Sequence, residues 1–399
     1  MTPETTENIV LDGALVSRLR EAVKDVFLVE QVDAPRQAPQ GTLRFIGQLL
    51  LPDSEAAYDL IAERWHGYDY TPLLRRHNGQ QVALIAQPGV IQARTGNPLV
   101  NLILLIATIV SVQFSGALYA CQCIPTTLGD WLSGTPMMLS MMVILLAHEF
   151  GHYFAARFHR VTVTLPYFIP MPVISPVGTL GAFIQLRSPF KTKKQLFDIG
   201  IAGPLGGLIF AVPLTFWGVF SSPVQRLTRE GGSVLEGNSL FYLGVKYLAH
   251  GQILPSFDRY ADLPAWKEFL LVLAGIIPPG GGHDIFINSV AFAAWFGLFV
   301  TAMNLLPVGQ LDGGHVIYCL LGEKARWLGI GLVGLMVLAG IFWWSGWLLW
   351  ALLVFFVIGP GHPPPLNDLV ELGPGRKALA YAGIVLFFLL FMPNPLQAL

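Results

Sequence analysis

Ile144-Leu145-Leu146-Ala147-His148-Glu149-Phe150-Gly151-His152 is the stretch from which the rest of the chain is read. His148 and His152 are four residues apart, so on a helix they share one face a turn apart, the spacing of two zinc ligands. Glu149 beside the first histidine has the place of a general base in metal-assisted peptide hydrolysis, where it takes a proton from water.

The surroundings of this motif set the fold class. Met137 to Ala147 holds no charged residue, and the apolar pattern continues through Phe154 until Arg157 and Arg160. Counted from about Thr135, the run is long enough to cross a hydrocarbon core of roughly 30 Å as a helix. The motif is therefore expected inside a membrane. Ionisable groups are costly to insert there, which favours a functional site over histidines that merely hydrogen-bond within a bundle.

Composition agrees. Of 399 residues, 53% are hydrophobic and 12% charged, about half the charged share of a soluble domain. The net charge of -1 gives no sign of a nucleic-acid partner. Charge is densest in residues 1–97, read as a small soluble α+β domain; residues 98–399 are read as the membrane-embedded domain. In the first part, Leu15 to Val29 has helical spacing, Leu43 to Leu51 alternates as a strand, and Asp53 to Arg64 reads as a helix. Two strands, Tyr70 to Arg76 and Val82 to Ala86, follow and are joined through Asn78-Gly79. Met1 to Asn8 carries no pattern of a signal or transit peptide.

Beyond Asn97-Pro98, apolar runs predict about seven spans: Leu99–Tyr119, the motif helix, Ile199–Phe220, Ile285–Leu306, Trp327–Trp343, Gly346–Gly359 and Ala378–Phe391. Cys121 and Cys123, one residue apart, are badly placed for a mutual disulfide. Val161 to Lys194 is apolar, but its prolines at 166, 170, 172 and 176 forbid a spanning helix. Within it, Gly178 to Leu186 has the residue types of a strand, so a re-entrant β-like segment is expected. Its edge would offer unpaired N–H and C=O groups to an extended substrate.

A second polar element is Asn304-Leu305-Leu306-Pro307-Val308-Gly309-Gln310-Leu311-Asp312-Gly313-Gly314-His315. Asp312 among helix breakers at a membrane boundary fits a third zinc ligand, leaving one position open as hydrolytic zinc requires; capping the following helix is the alternative. His315, and His362 farther on, lie near this expected site, where either could support a ligand from behind; the favoured reading for both is a helix-surface or loop histidine.

His-Glu-Phe-Gly-His in one span and Asn304-x-x-Pro307-x-x-x-x-Asp312-Gly313-Gly314 in a later one resemble the site-2 protease family of intramembrane zinc metalloproteases. The similarity extends through Gly178-Thr179-Leu180-Gly181-Ala182, Gly203-Pro204 and His362-Pro363-Pro364-Pro365-Leu366, and is nearest to the branch without a PDZ domain, with bacterial and plastid members. The resemblance implies one Zn2+ per chain held by His148, His152 and Asp312, with Glu149 activating water. It further implies that Asn304 orients substrate or stabilises a developing oxyanion. Gly178, Thr179, Gly181 and Ala182 would then belong to a strand that clamps the substrate, a transmembrane helix cut within the bilayer.

Charge sets the orientation. With the motif end of its helix facing the cytoplasm, Arg157, Arg160, Arg187, Lys191, Lys193, Lys194, Lys324, Arg326, Arg376 and Lys377 are all inside. The soluble domain is then cytoplasmic, and the plasma membrane of a prokaryote is the expected location. Two other readings use the same residues: a transporter or ion path through the His/Glu/Asp cluster, and an inactive zinc-stabilised scaffold. The lack of an internal repeat weighs against transport.

Overall fold

The computed structural model describes residues 13–35, 38–79, 81–90, 96–226, 234–252, 254–256, 263–273 and 282–398. Met1–Asn8 lies outside the described residues. The chain divides into two compact units, and the first is wider than residues 1–97: it comprises Met1–Arg94, Arg187–Leu196 and Pro363–Gly373.

In the first unit, α1 (Gly13–Val23) leads into β1 (Phe27–Asp33) and β2 (Leu43–Leu49); α2 (Ser54–His66), β3 (Tyr70–Arg76) and β4 (Val82–Pro88) follow. The helix expected to reach Val29 stops at Val23. Val29 and Val32 instead stand in β1, paired antiparallel with β2, because the sheet supplies partners that propensity alone does not reveal. The strand order is β1-β2-β4-β3. Asp53 accepts from the Glu55 amide at 2.9 Å and starts α2, whose Ala57, Tyr58, Ile61 and Trp65 turn inward with Phe27, Phe45 and Leu84.

The two remote segments extend this sheet. The Leu74 amide donates to Leu366 at 2.8 Å and Leu74 accepts from Asp368 at 3.1 Å, so Leu366–Asp368 lies along β3. Beyond it, Leu366 and Asn367 donate to Phe190 and Lys191 at 2.9 and 2.8 Å. Asn367 is fully buried and donates to the Ser54 carbonyl at 2.8 Å. An edge that would otherwise show unpaired backbone groups is thus covered.

The second unit comprises Thr95–Leu186, Phe197–His362 and Pro374–Leu399. Its first helices are α3 (Pro98–Cys121), α4 (Leu128–Ser133) and α5 (Thr135–Phe158), followed by the antiparallel pair β5 (Tyr167–Pro170) and β6 (Thr179–Phe183) and then α6 (Lys193–Phe220). Next come β7 (Val224–Arg226), β8 (Val234–Glu236), α7 (Leu240–His250), α8 (Ala265–Leu273), β9 (His283–Ile285) and α9 (Ser289–Asn304). The chain ends with α10 (Asp312–Leu321), α11 (Ala325–Phe342), α12 (Gly346–Leu352, continued as a π-helical turn to Ile358), α13 (Pro374–Leu390) and β10 (Leu396–Ala398).

Among the described residues, four helical stretches are long and apolar enough to cross a membrane: Pro98–Cys121, Leu128–Phe158, Lys193–Phe220 and Asp312–Phe342. Ser289–Asn304 and Gly346–Ile358 are apolar but shorter. The run expected from Ile285 begins as a helix only at Ser289, because residues 283–285 pair with β7 and Asn288 caps α9 through the amides of Val290 and Ala291. The chain is therefore an integral membrane protein with a small sheet-bearing N-terminal unit. Cys121 and Cys123 are joined as a disulfide, against the expectation from spacing. Gln122, left-handed at φ 54°, turns the chain at the end of α3 and brings the two Cα atoms to 5.1 Å.

Candidate metal centre

The histidines of α5 are buried because α6 offers them a surface without side chains. A Cβ on Gly203 would stand 2.0 Å from Nε2 of His152, and one on Gly207 would stand 3.3 Å from the His148 Cβ. Gly151 and Gly206 bring the two backbones together in the same way, each facing a carbonyl of the other helix. Pressed into this face, His152 has its Nδ1 at 2.7 Å from the carbonyl of Ile199. A carbonyl only accepts, so Nδ1 carries the proton and the Nε2 lone pair is left for a ligand.

Asp312 arrives by a tight turn. After α9 the chain folds through Leu305–Leu311 so closely that a Cβ on Gly313 would meet the Leu305 carbonyl at 2.0 Å, and one on Gly314 the Gly309 carbonyl at 2.2 Å. Glycine is required there by space. The turn sets the Asp312 carboxylate between the histidines: Oδ2 is 3.4 Å from Nε2 of His148 and Oδ1 is 3.3 Å from Nε2 of His152. The two Nε2 atoms are themselves 3.2 Å apart. Ligand atoms on a tetrahedron of zinc–nitrogen and zinc–oxygen radius stand about 3.3–3.5 Å from one another. The donor set therefore fits zinc, and it is the one group of three metal-binding side chains among the described residues.

Glu149 lies in the same buried layer, 4% exposed, and its Oε2 has no hydrogen-bond partner. A buried carboxylate oxygen without a donor is costly, and its lone pairs are free to accept a proton. The Asn304 amide, in the last residue of α9, lies 3.2 Å from Nε2 of His148. A small cavity of about 60 Å³ opens over the group, lined by His148, Glu149, Leu180, Gly181, Ala182 and Asn304 among others.

Of the four strand residues singled out, Gly181 and Ala182 reach this cavity and Gly178 and Thr179 do not. Gly178, at φ 81°, accepts from Ser111 at 2.5 Å, and a Cβ there would meet the Ser111 carbonyl at 2.5 Å. Thr179 is fully buried and donates to the Ile169 carbonyl at 2.9 Å. Both hold the hairpin in place. β6 is paired with β5 on one edge and with no other strand among the described residues.

Two parts of the site are not visible in the motifs. The Ile199 carbonyl is backbone, and only the glycine spacing at 200, 203, 206 and 207 hints that α6 carries it. His315 on α10 and His362 in the loop after the π-helical turn are partly buried and meet each other: Nδ1 of the first is 2.7 Å from Nε2 of the second, and a Cβ on Gly200 would stand 2.8 Å from the His315 Cβ. Nothing in a separation of 47 residues shows this pairing.

Comparison with known proteins agrees with the geometry. The profile of Peptidase family M50 matches residues 136–338, just over half of the chain. "Probable zinc metalloprotease EGY1, chloroplastic" of Arabidopsis thaliana is 31% identical over 263 residues, which cover 65% of this chain and 42% of that protein. The protein of the same name from Oryza sativa subsp. japonica is 31% identical over 266 residues, 65% of this chain and 41% of that one. "Probable zinc metalloprotease EGY2, chloroplastic" of Arabidopsis thaliana is 27% identical over 263 residues, 66% and 42% of the two chains. This chain thus spans about two fifths of the length of the curated relatives it matches. With residues 136–338 carrying both the His-Glu-Phe-Gly-His helix and the Asp312 turn, the chain belongs to Peptidase family M50, the site-2 protease family.

Proposed function

We propose that this protein is an intramembrane zinc metalloprotease that hydrolyses peptide bonds within or beside transmembrane segments of membrane-protein substrates. The single observation that carries the reading is the convergence of His148 Nε2, His152 Nε2 and Asp312 carboxylate oxygens at 3.2–3.4 Å, with the donorless Oε2 of Glu149 in the same layer. His148, His152 and Asp312 would hold one Zn2+. When bound, zinc supplies a Lewis acid that acidifies water and polarises a carbonyl.

The remaining work falls to the chain. Glu149 accepts a proton from the attacking water and returns it to the leaving amine, for which its unpartnered oxygen suits it. Asn304, lining the cavity, orients the substrate carbonyl. The edge of β6 that pairs with no other strand among the described residues, with Gly181 and Ala182 lining the cavity, holds the substrate extended, as a helix shields its own peptide bonds. Buried walls such as Ile144 and Leu145 limit bulk water. We place seven spans in the bilayer, counting the shorter apolar helices and α13, with β5 and β6 as the re-entrant segment. The basic residues put the N-terminal unit in the cytoplasm, and the membrane is the plasma membrane of a prokaryote.

The test is zinc content together with cleavage of a panel of single-span substrates in lipid, by the parent and by Glu149→Gln. The parent should hold about one zinc and cut, and the variant should hold zinc and lose turnover by about 10²–10⁴-fold. A folded parent without zinc would sink the reading and bring ion transport forward.

A further inference from the structure

We infer that Asp198 is a positioning residue for the metal centre, acting with Arg376 and His159 through the carbonyl of Ile199. The inference rests on the proposed function for the identity of the metal, and otherwise on geometry within the second unit. Arg376 grips Asp198 with two parallel bonds, Nε to Oδ1 and Nη2 to Oδ2, both 2.7 Å. Nε2 of His159 lies 2.8 Å from Oδ2 of the same carboxylate. One side chain on α6 thereby ties three helices at one level: α6 itself, the C-cap of α5 at His159 and the start of α13 at Arg376. A two-pronged guanidinium–carboxylate pair fixes orientation as well as distance.

The residue after Asp198 is Ile199, whose carbonyl receives the Nδ1 proton of His152. His159, the C-cap of α5, follows His152 by seven residues, about two turns farther along the helix. α5 is therefore joined to α6 at two adjacent points, His152 to the Ile199 carbonyl and His159 to the Asp198 carboxylate. A lock is needed because the α6 face beyond these points, where it meets α5, is glycine: Gly203, Gly206 and Gly207. Such a face lets helices approach closely but has no side chains to interdigitate, so it resists sliding poorly. Where α6 stops along α5 decides whether the Ile199 carbonyl meets Nδ1 of His152, and hence the ring orientation and tautomer offered to zinc. The pair of bonds at Asp198 sets that stop.

The experiment measures affinity for Zn2+, by competition with a chromophoric chelator, and the visible spectrum of the Co2+-substituted protein. It uses the full-length detergent-solubilised chain and its variants Asp198→Asn, Arg376→Lys and His159→Gln, with Arg44→Gln, which breaks the Arg44–Asp33 pair of the first unit, as the control. Loss of an outer partner of a ligating histidine costs about 10–100-fold in metal affinity, and a group acting through that partner should cost about tenfold. Asp198→Asn is expected to bind about tenfold more weakly with an altered Co2+ spectrum. Arg376→Lys, which keeps the charge and loses the fork, should fall between it and the parent, and the control should bind as the parent does. A merely structural ion pair would lower the melting temperature of the metal-free protein and leave both metal readouts unchanged; that result overturns the inference. If Asp198→Asn does not fold, Arg376→Lys and His159→Gln decide alone, and unchanged affinity in both overturns it. A parent without zinc takes down the proposed function and this inference together, whereas a zinc-binding parent with unaffected variants takes down only the inference.

Discussion

Two buried polar clusters lie in the second unit, and they differ in where the cation comes from. Around Lys246, fully buried, stand Asp284 at 3.0 Å and Glu236 at 3.3 Å; Tyr242 donates to Glu236 at 3.2 Å and lies with its ring 4.8 Å from the ammonium. Burial works against the Lys246 ammonium, yet Asp284 and Glu236 raise its pKa and keep it charged. Burial pushes the Glu236 carboxyl up, against the pull of Lys246. That cluster carries its own cation. Around the point between His148, His152 and Asp312 stand two ring nitrogens and a carboxylate, with the Glu149 carboxylate in the same layer, the Asn304 amide 3.2 Å from Nε2 of His148 and, among the described residues, no lysine or arginine paired with either carboxylate. Two buried carboxylates without a lysine or arginine, beside two histidine nitrogens at metal-ligand spacing, suit an ion from outside, whereas the other cluster holds its own lysine.

The comparison breaks most sharply at Asp312. Asp312→Ala should empty the site of zinc and lower turnover about 10³-fold or more, since the metal supplies several kcal/mol of transition-state stabilisation. Chelator should lower the melting temperature of the parent, by an amount corresponding to about 4 kcal/mol if zinc is present at a thousand times its Kd, and should leave the variant unmoved. A variant that still binds zinc stoichiometrically would show that Asp312 is not a ligand. For the other cluster the effect is on stability. Lys246→Met leaves two buried carboxylates unpaired and should cost about 3–5 kcal/mol in denaturant unfolding. The fraction that remains folded should keep its zinc; loss of zinc there would mean that the clusters are coupled.

Gly203→Ala is the next test, with an intermediate effect. Its Cβ would fall on the His152 ring, so the imidazole must turn away from the Ile199 carbonyl, and zinc affinity should drop about 10–100-fold. Gly244→Ala, which meets nothing within 4 Å, is the control and should bind zinc as the parent does.

That glycine also shows what could be read from sequence. The metal helix and the Asp312 turn were legible because each places its chemistry within a few residues, on one helix face or among helix breakers. The glycine spacing of α6 was legible as close packing, though not as a cradle for a particular histidine. The Lys246 cluster was not legible, for its members at 236, 246 and 284 meet only after folding and share no period. Nor were the segments 187–196 and 363–373 legible as parts of the N-terminal unit. They join it through backbone bonds, as between Leu74 and Leu366, and through ion pairs such as Lys191–Asp59, Lys194–Glu55 and Arg76–Glu371, and contacts between residues so far apart in the chain leave no local period. β1 escaped for a related reason, since its partner β2 rather than its own propensity makes it a strand.

The smallest expected effect separates the two glycines of the hairpin. Gly178 and Gly181 both have positive φ, 81° and 102°, but a Cβ on Gly178 is blocked by the Ser111 carbonyl whereas one on Gly181 meets nothing within 4 Å. Gly181→Ala therefore carries backbone strain alone, of order 1 kcal/mol, and should fold and bind zinc as the parent does. Gly181 lines the cavity over Glu149, so a substrate strand laid along β6 must pass the added methyl and the stiffened backbone. Cleavage should fall severalfold, chiefly through KM, with zinc content unchanged. Equal KM in parent and variant would remove β6 from substrate binding while leaving the metal centre untouched, because no zinc ligand depends on that strand.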